Sequence, residues 1–474
     1  MPGYYVENFG CRATQADGAA LERQFADQGL RRASSASQAS VVVLNTCTVT
    51  SAADQDARSA IRRVRRQNPE AKIVVTGCYA QRAPEEIAAL PGVSVVVGNS
   101  HKHQLAEIVS PKSGSRDQSF IPLNALNVLP GSREPEAGNP IFVSDIFAHT
   151  ELLAAPVFDA ANERTRPNLK IQDGCDNRCS FCVIPYVRGQ SRSLESARII
   201  QEVKTLVEAG YREVVISGIN LGRWGRDLPP VARGISQRPT TNDRRLVALI
   251  RTILAETSLE KLRISSVEPM DWSDELIELV ATSPRIAKHA HVPMQSGSDA
   301  VLRRMHRKYR PCHYREKIES IRAAMPDAAI GADVMVGFPG ETDIEFEATR
   351  QMIEDLPFTY LHVFTYSARP GTPAAEMRNQ VPVHIARERN RILRELASEK
   401  KLAFMRSFIG KTVEAITLNV GGSNEHGEFT EALTSNYLKM RFYGRHEANR
   451  WQTATVDNVV LGSLTSLPSR SQTM

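Results

Sequence analysis

The chain of 474 residues lacks several features that would assign it to a specialised class of protein. It has no apolar run of membrane-spanning length, and its first residues are not the basic segment and apolar stretch of a secretory signal. Its net charge of +6 permits a nucleic-acid partner without requiring one. Apolar and charged fractions of 42% and 24% are typical of globular proteins. We therefore expect a cytoplasmic protein without a membrane partner, folded into about two to four domains.

Cysteine is also scarce, but three of the seven residues share one short loop. Cys175, Cys179 and Cys182 have the spacing Cys-x3-Cys-x2-Cys and follow an apolar strand. In a reducing compartment such a cluster indicates metal binding or catalysis rather than disulfides. A fourth ligand is missing, although structural zinc takes four and ferredoxin runs use a tighter repeat with a fourth cysteine. The loop favours a 4Fe-4S cluster with one open iron; the alternatives are zinc completed by a distant histidine, or cysteines that only pack.

Residues 1–110 predict a doubly wound α/β domain that carries a second set of cysteines. Strand-like runs lead directly into Cys11, Cys47 and Cys78, and helical patterns lie between these runs, from Thr14 to Gln28 and from Ala52 to Gln67. The carboxyl ends of parallel strands meet at one edge of a sheet, so the three thiols are expected to converge there. We expect a second cluster with three protein ligands; the alternative is a chance placement of core cysteines.

The rest of the chain divides into a linker and two further domains. Residues 111–166 are rich in turn residues and predict a connection, in which Ile141 to Val143 are a candidate edge strand. Residues 167–405 alternate strand and helix and predict six β/α units, a partial barrel with its chemistry at the carboxyl ends of the strands. Residues 406–474 switch to short strands and predict a small antiparallel barrel. The glycine- and proline-rich stretch 224–242 predicts a surface excursion.

These motifs carry a family resemblance. The three-cysteine loop, with Phe181 before its last cysteine, resembles the signature of the radical S-adenosylmethionine (SAM) enzymes. Gly10-Cys11, the run from Asn45 to Thr50 (Asn-Thr-Cys-Thr-Val-Thr) and the run from Gly77 to Gln81 (Gly-Cys-Tyr-Ala-Gln) resemble the N-terminal domain of the methylthiotransferases within that superfamily. The residues that follow Cys47, Thr-Val-Thr, are similar to those in the methylthiotransferase branch that acts on N6-threonylcarbamoyladenosine in tRNA.

The resemblance implies a radical mechanism with SAM and two 4Fe-4S clusters. Cys175, Cys179 and Cys182 would hold the catalytic cluster that reduces SAM, and Cys11, Cys47 and Cys78 an auxiliary cluster that carries sulfur. The product would be a methylthio group on carbon 2 of the adenine at position 37, next to the anticodon. By the same resemblance, four residues at strand ends would contact SAM, although turn chemistry alone explains small and polar residues there equally well. They are Gly218, Glu268, Gln295 and Gly337.

The expected partners are the anticodon loop of tRNA and a low-potential electron donor such as flavodoxin or ferredoxin. The C-terminal barrel resembles the RNA-binding TRAM domain, and Lys439, Arg441, Tyr443 and Arg445 combine charge with an aromatic ring as single-stranded RNA sites do. A structural cap is the alternative. Two arginine-rich runs, 58–66 and 303–310, are either solvated helix faces or phosphate contacts. Cys312, outside both sets, is expected to be a packed thiol.

Three other functions remain open from the sequence. The same chemistry could act on N6-isopentenyladenosine in tRNA or on an aspartate of a ribosomal protein. A chain with the same cysteines could also be a non-catalytic iron-sulfur sensor that binds RNA.

Overall fold

The computed structural model describes residues 3–110, 139–149, 152, 165–229, 245–425 and 427–466. The chain forms two compact units. Unit 1 comprises Met1–Val157, Leu169–Leu194 and Ser367–Ala375, and unit 2 comprises Phe158–Asn168, Glu195–Tyr366 and Glu376–Met474. Most of the predicted linker and of the predicted excursion lies outside the described residues. Among the helices of the described ranges, none is both long and apolar enough to cross a membrane.

Unit 1 is built on a six-stranded sheet whose paired strands are all parallel, as predicted. The order is β2-β1-β3-β4-β5-β6. The predicted edge strand is present as the last of these. The strands are β1 (Gly3–Asn8), β2 (Arg31–Arg32), β3 (Val41–Thr46), β4 (Lys72–Gly77), β5 (Val93–Val97) and β6 (Ile141–Phe142). The helices of the same region are α1 (Arg12–Asp27), α2 (Ser51–Gln67), α3 (Cys78–Arg82), α4 (Pro84–Ala88) and α5 (Leu105–Val109).

The central strands are valine-rich because both faces of the sheet are covered. One apolar cluster packs α2 and α3 against one face, and another packs α1 and α5 against the other. Every residue of β3 is buried. The sheet is therefore covered on both sides, and its carboxyl edge is where polar and reactive side chains can gather.

Unit 1 also contains the three-cysteine loop and its flanking elements. Strand β7 (Asn168–Asp173) precedes the loop, and α6 (Ile184–Arg188) and β8 (Arg192–Ser193) follow it. Strands β7 and β8 pair antiparallel, with Gln172 opposite Ser193. The segment from Leu169 to Leu194, which contains most of the first strand of the predicted barrel, belongs to the same unit as the N-terminal sheet but not to that sheet.

Unit 2 holds the remaining β/α elements, apart from residues 373–375, close to their predicted positions. Strand β9 pairs in parallel with β10, and β12 pairs in parallel with both β11 and β13. The strands are β9 (Glu213–Gly218), β10 (Lys261–Ile264), β11 (His289–His291), β12 (Ala329–Val336) and β13 (Tyr360–Thr365). The helices from here to the C-terminal region are α7 (Ser196–Glu208), α8 (Arg245–Glu256), α9 (Asp274–Thr282), α10 (Asp299–Arg304), α11 (Pro311–Ala324), α12 (Asp343–Asp355), α13 (Pro373–Glu376) and α14 (Val383–Arg406).

The C-terminal strands form one six-stranded sheet in the order β17-β14-β15-β16-β19-β18. Among the described residues, the end strands of this order are not hydrogen-bonded to each other, and β16 pairs with β19 in parallel whereas the other pairs are antiparallel. The strands are β14 (Thr412–Asn424), β15 (Gly427–Thr434), β16 (Lys439–Tyr443), β17 (Trp451–Thr455), β18 (Asn458–Val460) and β19 (Ser463–Thr465).

One predicted turn in this sheet is wrong. The run Gly421-Gly422-Ser423-Asn424 was expected to separate two strands, but it extends β14 and pairs with β15 beyond a register shift between Thr417 and Gly421. The Cβ atom of any larger residue at Gly422 would lie 2.8 Å from the Phe429 ring, so the glycine there serves close packing rather than a turn.

Candidate active site

The first set of cysteines follows three adjacent parallel strands of unit 1. Cys11 caps the start of α1 after β1, Cys47 follows β3, and Cys78 opens α3 directly after β4. Gly10 has a φ of +105°, and a Cβ atom there would lie 2.6 Å from Cys47 Cβ. The glycine is thus required for the close approach of the loops that carry Cys11 and Cys47.

The environment of this set suits a group with positive metal ions. Cys47 and Cys78 are buried, whereas Cys11 is exposed. Burial, together with the neighbouring thiols of Cys78 and Cys11, raises the pKa of Cys47 to about 12. Thiolates are the form that binds metal, and three of them at one sheet edge repel each other unless a cation lies between them. The donor set therefore fits an iron-sulfur cluster.

The second set lies on a loop whose backbone is fixed at both ends. Gly174 has a φ of +72°, and a Cβ atom there would lie 1.9 Å from the carbonyl oxygen of Gln190. The Cys175 amide donates to the Gly189 carbonyl at 3.1 Å, and the Cys182 amide donates to the Cys179 carbonyl at 3.1 Å. These contacts fix the backbone on either side of the three thiols. This donor set, three thiols without a fourth, also fits a cluster with an open iron.

Both sets belong to unit 1, and a shared apolar cluster joins the segments that carry them. Cys78 packs against Val183 and Val187, and Val183 directly follows Cys182. Asn99 Nδ2 donates to Cys78 Sγ at 3.6 Å and to the Val187 carbonyl at 2.7 Å. Segments more than 100 residues apart in sequence thereby meet beside one cysteine of the first set.

A buried network of five charges, which was missed from the sequence, links the same segments. Lys102 contacts Asp17 at 3.0 Å, and Lys170 contacts both Asp17 and Asp173, the latter at 2.7 Å. Arg188 contacts Asp17 at 2.9 Å and Asp173 at 3.0 Å. All five side chains are less than 10% exposed. The network ties α1 to β7 and α6, the elements on either side of the second loop.

The charges of this network act on the first set of cysteines. Burial opposes ionisation of Arg188, yet Asp173, Cys78 and Asp17 hold its pKa well above its ordinary value. Burial likewise opposes ionisation of Asp17, but Lys102, Lys170 and Arg188 hold the pKa of Asp17 well below its ordinary value. Burial lowers the pKa of Lys102, so Arg188 is the cation of this network that favours thiolates or an anionic cluster at Cys78 and Cys11.

A second buried contact joins the residue after Cys47 to the segment Ser367–Ala375. Arg369 donates to Asp54 at 2.7 Å, and Arg82 donates to Asp54 at 2.9 Å. Thr48 Oγ1 donates to the other oxygen of Asp54 at 2.6 Å. All these residues belong to unit 1. The chain that follows Cys47 is therefore held in place by Arg82 and by Arg369, which come from two different segments.

The four residues predicted to contact SAM lie in unit 2. Gly218 ends β9, and Gln295, with a φ of 64°, forms a bridge to Val334 of β12. Gly337 has a φ of +73°, and a Cβ atom there would lie 2.6 Å from that of Ala386, so its conformation has a packing reason as well. The carboxylate of the fourth, Glu268, pairs with Arg307. Their role toward SAM stays a prediction.

The second arginine-rich run is engaged by carboxylates rather than free for phosphate. Arg303 and Arg310 both pair with Asp299, and Arg304 pairs with Glu345 at 2.8 Å. In the first run, Arg58 pairs with Glu86 and Arg63 pairs with Glu7. These contacts favour the interpretation of ordinary helix faces for the paired arginines.

The expectation for Cys312 is wrong, because this residue is exposed in the first turn of α11. Position 312 lies next to Pro311 at a helix start, where the chain has little cover. The sequence signal for packing was only the residue type.

Two family models match this chain. The uncharacterized protein family UPF0004 matches residues 3–98, and the radical SAM superfamily matches residues 169–353. The threonylcarbamoyladenosine tRNA methylthiotransferase MtaB of Bacillus subtilis is 35% identical over 438 residues, which cover 92% of this chain and 90% of the relative. This chain belongs to the radical SAM tRNA methylthiotransferases.

Two further comparisons bear on the substrate and the fold of this methylthiotransferase. The tRNA-2-methylthio-N(6)-dimethylallyladenosine synthase of Novosphingobium aromaticivorans is also 35% identical, over 87% of this chain and 86% of the relative. The solved structure of TsrM, a radical S-adenosylmethionine methyltransferase from Kitasatospora setae, aligns with a TM-score of 0.53 at 16% identity and covers 79% of this chain and 77% of its own. The methylthiotransferase thus has the mixed α/β radical SAM fold expected from its sequence.

Proposed function

We propose that this chain adds a methylthio group to carbon 2 of N6-threonylcarbamoyladenosine at position 37 of tRNA. Membership of the family supports methylthiolation by radical SAM chemistry. The residues around Cys47, from Asn45 to Thr50, support the branch that acts on threonylcarbamoyladenosine. A relative of equal identity acts, by its name, on dimethylallyladenosine, so overall identity does not separate the two substrates. Nucleoside analysis of tRNA distinguishes the two substrates.

The observation that carries the proposal is the assembly of both cysteine sets in unit 1. Sulfur insertion needs a radical source and a sulfur carrier that reach one carbon atom. Cys78 packs with Val183 next to Cys182, and Asn99 bridges Cys78 to Val187. This arrangement supports two clusters that share one chamber.

The residues of this chain have separate tasks in the proposed reaction. Cys175, Cys179 and Cys182 hold one 4Fe-4S cluster and Cys11, Cys47 and Cys78 the other. When bound, the clusters and SAM supply the one-electron chemistry, the sulfur atom and the methyl group. Arg188, with Asp17 and Asp173, fixes α6 and places positive charge beside Cys78 and Cys11. The packing of Val183 and Val187 against Cys78 keeps water from that side of the cysteine.

The proposed partners follow from the substrate. An adenine in the anticodon loop is unstacked at lower cost than one in a duplex. Lys439 and Arg441 of β16, with Tyr443, would contact the backbone and bases of that loop. A low-potential donor such as flavodoxin or ferredoxin would supply electrons in the cytoplasm.

Nucleoside analysis of tRNA tests the substrate. Deleting the gene should remove 2-methylthio-N6-threonylcarbamoyladenosine and cause its precursor to accumulate, while methylthiolated isopentenyladenosine stays unchanged. Re-expression should restore the product. Loss of the isopentenyl product instead would transfer the chain to the other branch, and no change in either would exclude tRNA methylthiolation.

Iron content tests the two cysteine sets separately. Replacing Cys11, Cys47 and Cys78 together by alanine should lower iron per chain by about half and leave SAM cleavage by dithionite-reduced protein intact. Replacing Cys175, Cys179 and Cys182 should also lower iron by about half but abolish SAM cleavage. Cys312→Ala is the matched control and should change neither. Unchanged iron in the first variant would remove the auxiliary cluster from the proposal.

A further inference from the structure

A cluster of three titratable side chains in unit 2 is not used by the proposed reaction. Asp333 of β12 lies opposite His362 in the parallel pairing with β13, and His291 ends β11 on the other side of β12. Asp333 Oδ1 is 3.2 Å from His291 Nε2 and 3.2 Å from His362 Nδ1. One ligand atom of each residue lies within 4.8 Å of the other two. Three neighbouring strands thus present two imidazoles and one carboxylate to a common point.

These donors match a transition-metal site in type and spacing. Two histidines and one carboxylate form the facial set found around non-haem iron, and zinc also accepts these ligands. Bonds of about 2.0–2.2 Å from one ion place neighbouring donor atoms about 2.8–3.6 Å apart, from octahedral to tetrahedral geometry. The two distances from Asp333 lie within that range. Small movements of the half-exposed His362 would complete the set.

The orientation of His291 is fixed from behind, as it is in metal sites. Its Nδ1 atom lies 3.0 Å from the hydroxyl of Tyr360, which also lies 2.7 Å from His289 Nε2. Ligating histidines usually hydrogen-bond through their second nitrogen, which fixes the tautomer and the ring plane. Here Nε2 of His291 is the nitrogen that faces Asp333.

The charge of the cluster also favours a cation. Asp333 is the one carboxylate of the cluster, and its Oδ1 atom contacts both imidazoles. Within the part of the chain that the structure describes, Asp333 pairs with these two imidazoles and with no lysine or arginine. Imidazole binds metals in its neutral form, which leaves the negative charge of Asp333 to be balanced by the ion.

The cluster is accessible from one side. The His362 side chain is 54% exposed, and with Tyr360 it lines a cavity of about 440 Å³. The wall of this cavity also carries Arg394, Lys401 and Lys439. An ion held by three protein ligands keeps positions for water or for an oxygen ligand that enters from the cavity.

We propose that His291, Asp333 and His362 bind a divalent first-row transition-metal ion beside this cavity, which His362 borders. The site is separate from the proposed iron-sulfur chemistry, because it uses none of the cysteines. Its presence can therefore be tested whatever tRNA nucleoside the chain modifies.

The test titrates Mn²⁺ into anaerobically reconstituted protein and follows the electron paramagnetic resonance signal of the free ion. Filled iron sites keep the thiols from competing, and Mn²⁺ prefers oxygen and nitrogen donors. We expect one saturable site per chain. Because Zn²⁺ binds such donors more tightly, one equivalent of Zn²⁺ should release the bound Mn²⁺. Failure to saturate below millimolar Mn²⁺, or no release by Zn²⁺, would overturn the proposal.

Variants assign the site to these residues. Asp333→Asn and His362→Ala should weaken Mn²⁺ binding by at least tenfold, and Tyr360→Phe by roughly 10- to 100-fold through the orientation of His291. His313→Ala, an exposed histidine on α11, is the control and should bind as the unmodified chain does. Circular dichroism and iron content check that each variant is folded. Equal affinity in Asp333→Asn, His362→Ala and the control would show that Mn²⁺ binds elsewhere and would reject the site.

Discussion

Gly10 and Cys47 show how single residues shape the candidate active site. The backbone of Gly10 has a positive φ, and its Cα lies so close to Cys47 that a Cβ atom would overlap the cysteine. Cys47 is itself buried, and the backbone amide of Val49 donates to its sulfur at 3.5 Å. The reactivity of this thiol is therefore determined by its surroundings rather than by its own chemistry.

Alkylation of the cluster-free protein should distinguish Cys47 from exposed cysteines. Its pKa of about 12, against 9.0 for an ordinary thiol, leaves about 1,000-fold less thiolate at pH 8, and the thiolate is the reactive form. Peptide mass spectrometry after brief iodoacetamide treatment should find Cys312 labelled and Cys47 unlabelled. Raising the pH should increase labelling of Cys47 about tenfold per unit. Equal rates at the two positions at pH 8 would contradict the burial described here.

Replacing Gly10 by alanine should disturb the first set of cysteines specifically. The added methyl group would displace Cys47, so reconstituted Gly10→Ala should contain up to about half less iron, while SAM cleavage remains. Gly29→Ala is a matched control, because Gly29 also has a positive φ, of +81°, but nothing within 4 Å of its Cβ position. The control should lose about 1–2 kcal/mol of stability and no iron. Normal iron in Gly10→Ala would show that the loop adapts.

At the scale of elements, the buried charges hold α1, β7 and α6 together. The sequence run Leu169-Lys170-Ile171-Gln172 suggests a strand with one polar face, and Asp17 looks like a polar position on an amphipathic helix. Both polar faces turn out to be buried against each other within unit 1. A lysine or aspartate has the same appearance in sequence whether it meets water or an opposite charge, so this network was not predictable.

Asp17→Asn should destabilise unit 1 strongly. The change leaves Lys102, Lys170 and Arg188 with one carboxylate, and breaking a buried ion pair typically costs about 3–5 kcal/mol. Urea unfolding of cluster-free protein at pH 7 measures the loss. The folded-state pKa of Asp17 is depressed, so its contribution to the free energy of unfolding is complete above pH about 4 and disappears as the pH falls further. The difference in unfolding free energy between Asp17→Asn and the unmodified chain should therefore become smaller at acidic pH.

The control for this change is a carboxylate at the surface of the same unit. Glu7→Gln removes the partially exposed pair with Arg63 and should cost no more than about 1 kcal/mol. A loss in Asp17→Asn as small as that of Glu7→Gln would mean that the network contributes little to stability.

At the scale of the whole molecule, one arginine connects the β/α part of unit 2 with its C-terminal sheet. Arg263 is fully buried on β10, where it pairs with Glu213 at 2.6 Å. It also donates to the carbonyl groups of Thr434 and Ser435 at 3.2 Å and 3.1 Å. Tyr437 lies against the same guanidinium. The C-terminal sheet is therefore attached to the β/α part of unit 2 by buried polar contacts.

Arg263→Met should loosen that attachment. Glu213 would stay buried with Arg166 as its remaining partner at 3.8 Å, at a cost of about 3–5 kcal/mol. Limited trypsin digestion should release fragments from residues 406–466 earlier than in the unmodified chain. Arg251→Met, which removes an exposed pair with Glu275, is the control and should digest normally. Identical digestion patterns for both variants would refute the role of Arg263.

The sequence by itself determined the positions of the cysteines and of the strands that lead to them. These predictions rest on local patterns, namely the cysteine spacing, the valine-rich runs before Cys47 and Cys78, and the alternation of strand and helix. Such patterns can be recognised without knowing which distant segments meet. Its errors were also local, because the run from Gly421 to Asn424 has the composition of a turn but the packing of a strand.

Only the tertiary structure decided which distant groups meet. It grouped the loop from Cys175 to Cys182 with the N-terminal sheet, buried the charges around Arg188 beside Cys78, and aligned His291, Asp333 and His362 on three strands. These contacts depend on strand register and on burial. Burial favours or opposes ionisation of a side chain according to the charges that surround it. Neither strand register nor burial can be derived from the residues of a single segment.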